Sequence, residues 1–318
     1  MAHAPIIVHV PAQAKEDNLP TVRRFYQRLL DALTRHNFDV ATPDQPFPPP
    51  SQTELAPDCL HITYHTRHTG ANVVNVKIGY LPDYFYFDDS GYSGWSMLAG
   101  RDLQTGIADG EAGAYYAQHI VPRVSTGQSK YAQPRLSPHM LAPGYIAIFT
   151  QVQGDLVLDL ARHESRDMVT AVLHEARQFG IPSLLKLHPR CTDANFRAFA
   201  VDAARQYGAV IANLNVHQII AGARCVAVVN SGAGFEALCH LKPVLSFGAS
   251  DYEAATTPIH SLTEIASAIA ACDPDVTRDL RIKRFLFGYL NAQLDIEDPA
   301  FATRVIERVE RKLATGKL

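Results

Sequence analysis

The chain has 318 residues, of which 47% are hydrophobic and 19% charged, with a formal charge of −3. That length and balance suit two globular domains, each with its own core, and exclude a disordered chain. Without a long basic run, nucleic acid is not an expected partner, and the scattered Cys59, Cys191, Cys225, Cys239 and Cys272 encode neither a disulfide frame nor a thiolate zinc site.

Met1 to Gln13 lacks the basic start and long apolar run of a secretion signal. No stretch reaches the roughly 18 uninterrupted apolar residues of a membrane helix. A cytoplasmic protein is expected, working at the inner face of the inner membrane if assembly partners hold it there. Pro5–Val10 reads as a strand, and the following segment places Val22, Phe25, Tyr26, Leu29, Leu30 and Leu33 on one helical face. Pro43–Pro50 holds five prolines and is a surface connection. Cys59–His65 and Asn72–Tyr80 are strand-like. This first half, residues 1–140, reads as an α/β domain with long loops, and Tyr131–Pro143, with its prolines, as the link to the second.

From residue 141 to 275 the alternation of strand and helix is regular. Tyr145–Phe149, Ser183–His188, Ala209–Ala212, Arg224–Val229 and Pro243–Phe247 read as strands. Between them Glu164–Phe179, Asp193–Tyr207, Gln218–Ala221 and Gly232–Leu241 read as helices, with Ser261–Ala271 after the last strand. Short connections between alternating elements imply a parallel sheet covered on both faces. Residues 276–318 are expected to be helical, to carry no further strand and to pack back on the first domain.

Open parallel sheets bind ligands where strands end, because the helices that follow present free amides and the positive end of their dipole. Three such junctions carry chemistry. After the strand at Val226–Val229, Asn230, Ser231, Gly232 and Gly234 open a helix: Ser231 can cap it, and the glycines let amides approach an oxyanion. Glu236, one turn in, is placed to accept from ribose hydroxyls; a purely structural cap competes with this reading. Lys186, His188 and Arg190 close the preceding strand and suit a phosphate, or equally form a surface basic cluster. Asp155, in Thr150–Asp155, is a carboxylate at the sheet edge that can serve as base or nucleophile, or simply cap a helix.

In the first half, Asp88, Asp89, Tyr92 and Trp95 lie in an acidic, aromatic run, Asp83–Trp95, which fits an acceptor sugar pocket or a packed loop. His61, His65 and His68 have metal-like spacing, but their neighbours Leu60, Ile62, Thr63 and Tyr64 prefer a strand and no acidic or Cys partner stands near. No metal and no cofactor is expected.

The blocks FTQVQGD (149–155), LKLHPR (185–190) and VNSGAGFEALCHLKPVLSFG (229–248) resemble the capsule polysaccharide biosynthesis family, which includes β-Kdo transferases (Kdo is 3-deoxy-D-manno-octulosonic acid). The resemblance spans about residues 145 to 290, and bacterial sialyltransferases share the His-Pro and Ser-containing blocks. It implies the GT-B fold, two Rossmann-like domains facing each other across a cleft, with the nucleotide on the C-terminal one. It further implies that His188 and Ser231 contact the donor phosphate, that Glu236 serves the nucleotide ribose, and that Asp155 is the catalytic carboxylate of a retaining transferase. One departure is Ser231-Gly232-Ala233, where the family often has a second hydroxyl before Gly-Phe-Glu. The implied partners are a nucleotide-sugar donor, foremost CMP-Kdo, and a glycan or glycolipid acceptor, with peripheral membrane association through a polysaccharide assembly complex. A transferase using another nucleotide sugar, or a non-catalytic binding subunit, are the competing expectations.

Overall fold

The computed structural model describes residues 4–15, 20–137 and 141–316; residues 138–140 of the expected linker and 1–3 of the amino-terminal segment lie outside them. The chain forms two compact units, one of residues 1–99 with 289–318 and the other of residues 100–288.

The first unit opens with β1 (Ile6–Val8), α1 (Pro20–Arg35), β2 (Val40–Ala41), β3 (Leu60–Tyr64), β4 (Val73–Ile78) and β5 (Tyr84–Asp88). Strand β1 lies between β2 and β3, β4 extends the parallel set, and β5 runs antiparallel to β4. The helix buries the stripe Val22, Phe25, Tyr26, Leu29, Ala32 and Leu33, which includes most of the face legible in the sequence. Phe25 stacks on Phe85 of β5 at 4.2 Å between centroids.

The second unit begins with α2 (Asp109–Tyr115), a π-turn at Tyr116–Ile120 and α3 (Val121–Thr126), ended by Gly127 in the left-handed region at φ 67°. Tyr116 of this rod donates from its hydroxyl to the Cys239 carbonyl at 2.8 Å, so the rod belongs to the second unit rather than to the first. Then come β6 (Tyr145–Phe149), α4 (Ser165–Gln178), β7 (Ser183–Lys186), α5 (Ala194–Tyr207) and β8 (Val210–Ile211). They are followed by α6 (Val216–Gly222), β9 (Ala223–Val228), α7 (Gly232–Cys239) and β10 (Val244–Ser246). The unit closes with β11 (Thr257–Pro258), α8 (Ile265–Ala270) and α9 (Val276–Asn291), the last reaching into the first unit.

All pairings in this sheet are parallel, in the order β11-β10-β9-β6-β7-β8. Chain order runs outward in both directions from the β6/β9 pair, which makes that pair the topological switch point, where loops leaving the strand ends part to opposite faces. The core beside it is built from Ile146, Ile148, Leu185, Cys225, Ala227 and Leu245 against Met168, Val172 and Leu173 of α4. The expected parallel sheet flanked by helices is therefore present, and Cys225 is a core thiol as expected.

After α9 the chain adds β12 (Leu294–Asp295) and α10 (Phe301–Gly316). Strand β12 pairs antiparallel with β5, giving the first sheet the order β12-β5-β4-β3-β1-β2. This corrects the expectation of a carboxy-terminal stretch without strands: two residues are too few to leave a periodic pattern. Helix α10 buries Phe301, Val305, Val309 and Leu313, spaced four apart, in the same core as α1. Among the described residues no helix is long and apolar enough to cross a membrane.

Candidate functional site

Because every strand of the second sheet points the same way, the loops after β6, β7 and β9 emerge at one edge. These loops carry Asp155, His188 and Ser231.

Gln151 and Asn230 join the first and last of them. The Gln151 amide donates to Asn230 Oδ1 at 2.9 Å, and the Asn230 backbone N–H donates to Gln151 Oε1 at 3.1 Å. Asn230 Nδ2 donates in addition to the carbonyls of Val157 at 2.7 Å and Ala249 at 3.2 Å. Both side chains are buried. Asn230, expected at the donor site, also clamps the loops on either side of the switch point.

Asp155 is exposed, and its Oδ1 accepts from the Val157 N–H at 3.3 Å, capping a short 3-10 turn, Leu156–Leu160. The capping role is real, and it leaves the carboxylate at the solvent edge. His188 is half-buried; its Nδ1 accepts from the Arg190 N–H at 3.1 Å, which leaves the proton on Nε2 in the neutral ring. Burial lowers the His188 pKa, Arg190 lowers it further, and Asp155 raises it in part, so Asp155 and His188 lie within electrostatic reach of each other.

Ser231 caps α7 through its Oγ, which accepts from Ala233 N–H at 3.3 Å, while its carbonyl accepts from the Tyr252 hydroxyl at 2.6 Å. Gly234 serves packing: a Cβ there would stand 2.6 Å from the Tyr252 hydroxyl and 2.9 Å from Val228 Cγ2. Gly232 forms the first position of the helix. Lys186 is buried and donates from Nζ to the Leu214 carbonyl at 2.7 Å; burial lowers its pKa and Glu236 opposes that shift.

Glu236 is buried, and burial pushes its carboxyl up to about 7, against the opposing pull of Ser129, Lys130 and Lys186. A carboxylate in such a place is stabilised only by the cations facing it. His217 lies 3.8 Å from it.

Sequence reasoning missed Lys130 and Tyr131, because prolines nearby marked their segment as a connection. The segment 128–137 instead lies along the second unit. His217 donates from Nε2 to the Gln128 carbonyl at 2.7 Å, and since a carbonyl only accepts, its Nδ1 takes the proton of His240 Nε2 at 2.9 Å. Asn215 Nδ2 donates to the Pro134 carbonyl at 3.1 Å, and Val216 N–H to Gln133 Oε1 at 3.2 Å. The Tyr131 ring meets His188 edge-on at 5.6 Å and carries the Arg190 guanidinium 4.5 Å above its face. A groove of about 450 Å³ runs beside it, lined by Ser129, Tyr131, Gln133, Arg135 and Asn215 among others.

The result is an edge rich in cations (Lys130, Lys186, Arg190), with one helix N-terminus and one exposed carboxylate. Such an edge can hold an anion and place a carboxylate beside it.

Residues 110–258 match the capsule polysaccharide biosynthesis protein family. The match contains Asp155, His188, Ser231 and also Lys130. It begins upstream of the blocks that carry the resemblance, at the rod that packs on α7. Protein FixF of Sinorhizobium fredii is 25% identical over 253 residues, covering 76% of this chain and 60% of FixF, so the chain spans well under two thirds of that relative. The Thermosulfurimonas dismutans KpsC beta Kdo 2,4 transferase structure aligns over 89% of this chain and 99% of its own, with a TM-score of 0.53 and 16% identity. The beta Kdo 2,7 transferase of the same KpsC aligns over 97% and 99%, with a TM-score of 0.47 and 14% identity. The fold is the two-unit α/β type expected, that of GT-B glycosyltransferases.

In the first unit the residues expected at an acceptor site are largely spent on structure. Asp88 is buried and accepts from the N–H groups of Ser90 at 2.8 Å, Gly91 at 3.0 Å and Met97 at 3.0 Å, and from the Ser96 hydroxyl at 2.6 Å. Tyr92 is buried, with the Lys77 ammonium 3.5 Å from its ring centroid. Asp89 pairs with Lys312 at 2.8 Å, and Arg67 covers Trp95 at 4.3 Å. Asp88 and Tyr92 are packed into the fold, and Tyr84–Asp88 of this run is a strand, which the packed-loop reading did not include. The histidines are likewise engaged: His61 Nδ1 meets His9 Nε2 at 2.9 Å, and His68 Nε2 donates to the Pro50 carbonyl at 3.0 Å. His65 packs on Tyr92 at 4.9 Å.

Proposed function

We propose that this protein is a glycosyltransferase that moves a sugar from a nucleotide-activated donor to a glycan or glycolipid acceptor in the making of a bacterial surface polysaccharide. The observation that carries the reading is the gathering of Asp155, His188 and the Ser231-capped helix at the switch-point edge of one parallel sheet. Departure of a nucleotide leaves negative charge on phosphate and positive charge on the sugar. His188 and the N-terminus of α7 answer the first need. Asp155 answers the second, as a nucleophile toward the anomeric carbon of a retaining enzyme.

CMP-Kdo stands first among donors. That choice rests on the FTQVQGD, LKLHPR and GFEAL blocks and on the name of the structural neighbour, a beta Kdo transferase. Glu236 lies in α7 where it would take ribose hydroxyls, with its charge supported by Lys130 and Lys186. Action at the cytoplasmic face of the inner membrane follows from a donor made in the cytoplasm and a membrane-bound acceptor.

The test is a donor screen of the purified protein with CMP-Kdo, CMP-sialic acid and UDP-sugars, offered with glycolipid acceptors and read by nucleotide release. Turnover of CMP-Kdo alone supports the full reading. Turnover of a UDP-sugar moves the donor and keeps the enzyme. Nucleotide binding with no donor ever consumed points to a non-catalytic subunit and ends the transferase reading.

A further inference from the structure

We propose that Lys130 is a donor-binding residue whose ammonium contacts an anionic oxygen of the nucleotide sugar, delivered to the sheet edge by a segment that lies outside the βα loops. The inference rests on the glycosyltransferase reading and adds to it a fourth contributor, after the loops of β6, β7 and β9.

The placement is fixed by hydrogen bonds on both sides of Lys130. Gln128 is held through its carbonyl by His217, and Gln133 and Pro134 are held by Val216 and Asn215 at the start of α6. Between these anchors Tyr131 wedges against His188, and Lys130 Nζ lies 5.8 Å from the Tyr131 ring. The side chain is half-buried among charges of both signs: Arg190 repels it, while Asp155 and Glu236 attract it. It therefore lies within electrostatic reach of both the exposed carboxylate of the β6 loop and the buried carboxylate of α7, the two groups assigned to the sugar and the ribose.

A phosphate or carboxylate arriving between those groups would meet Lys130, Arg190, His188 and the α7 N-terminus together. Desolvation, with Arg190 second, lowers the Lys130 pKa to about 8, and Asp155 and Glu236 oppose that shift. The neutral His217–His240 pair explains why the segment keeps its place: protonating His240 is opposed by burial and by His217 itself.

The experiment measures binding of CMP, UDP and CMP-Kdo by calorimetry to the wild type, Lys130→Met and Lys130→Arg, with thermal melts to confirm equal folding. Lys130→Met is expected to weaken binding by about tenfold or more and to flatten its dependence on salt, with Lys130→Arg recovering part of both. Loss with CMP and CMP-Kdo alike assigns the contact to phosphate; loss with CMP-Kdo alone assigns it to the sugar carboxylate. Either supports the proposal. Equal affinities and salt slopes in wild type and Lys130→Met overturn it and leave the transferase reading standing. A wild type that binds none of the three overturns both.

Discussion

Gln151 and Asn230 exchange hydrogen bonds across the switch point, amide to Oδ1 at 2.9 Å and backbone N–H to Oε1 at 3.1 Å, with both side chains buried. Together they tie the Asp155 loop to the start of α7. The QxxxD and NSG blocks of the sequence are thus one structural device, with its chemistry carried on either side of the clamp.

Removing one partner strands the other. Asn230→Ala leaves the Gln151 amide and the carbonyls of Val157 and Ala249 without their donor or acceptor, a cost of about 1–3 kcal/mol for each buried group left unsatisfied. Gln151→Ala should cost about 1–3 kcal/mol. Because the two share bonds, the double variant is expected to lose less than the sum of the singles, by 0.5 kcal/mol or more in a urea-unfolding cycle. Additive losses would show that the pair is not coupled.

Gly234→Ala tests why the motif carries a second glycine. Within a helix, alanine gains up to about 1 kcal/mol over glycine. Here the added Cβ would sit 2.6 Å from the Tyr252 hydroxyl and 2.9 Å from Val228, and overpacking costs about 1–3 kcal/mol. The clash should win, lowering the melting temperature. Tyr252→Phe removes one of the two close atoms together with the hydrogen bond to the Ser231 carbonyl, so the loss caused by Gly234→Ala should be smaller in a Tyr252→Phe background than in the wild type. A Gly234→Ala protein as stable as wild type would show that packing does not require the glycine.

The second unit was legible because its central strands are mostly apolar and its helices carry clear stripes: Tyr145–Phe149 was read to the residue, and Met168, Val169, Val172, Leu173 and Ala176 all lie on the buried face of α4. In the first unit, β5 was hidden because Tyr84, Phe85, Tyr86 and Phe87 are buried on both faces and leave no alternation. Lys130 and Tyr131 were illegible for a different reason. Their segment has no periodicity of its own and is ordered by side chains far along the chain, Asn215 and His217, which a local pattern cannot register. Motif position likewise did not reveal the structural bonds of Asn230, whose amide donates to Val157 and Ala249 and whose Oδ1 accepts from Gln151.

Glu236 gives a pH signature. Burial raises its folded-state pKa to about 7, above the ordinary glutamate value. The folded protein therefore holds a proton that the unfolded chain has released, and stability falls as pH rises from about 4.5 to about 7. Across that window the wild type should lose about 3 kcal/mol relative to Glu236→Gln, which has no such proton. The buried His9, His61, His217 and His240 act in the opposite sense as pH falls below 6.5, since their pKa values are lowered by burial. The difference between the two proteins cancels the contributions of His9 and His61, whereas His217, 3.8 Å from Glu236, is coupled to the substitution. Parallel stability curves from pH 4.5 to 7 would show that burial does not raise the Glu236 pKa.

The decisive group is Asp155. Among the described residues its carboxylate caps a short turn with Oδ1, and asparagine caps as well as aspartate. Nucleotide release from CMP-Kdo by Asp155→Asn, measured at saturating donor with donor affinity determined in parallel, isolates its chemistry. Loss of turnover by about a thousandfold or more, with folding and donor binding intact, is the predicted result. Wild-type turnover by the asparagine protein would contradict the assignment of this sheet edge as a catalytic site.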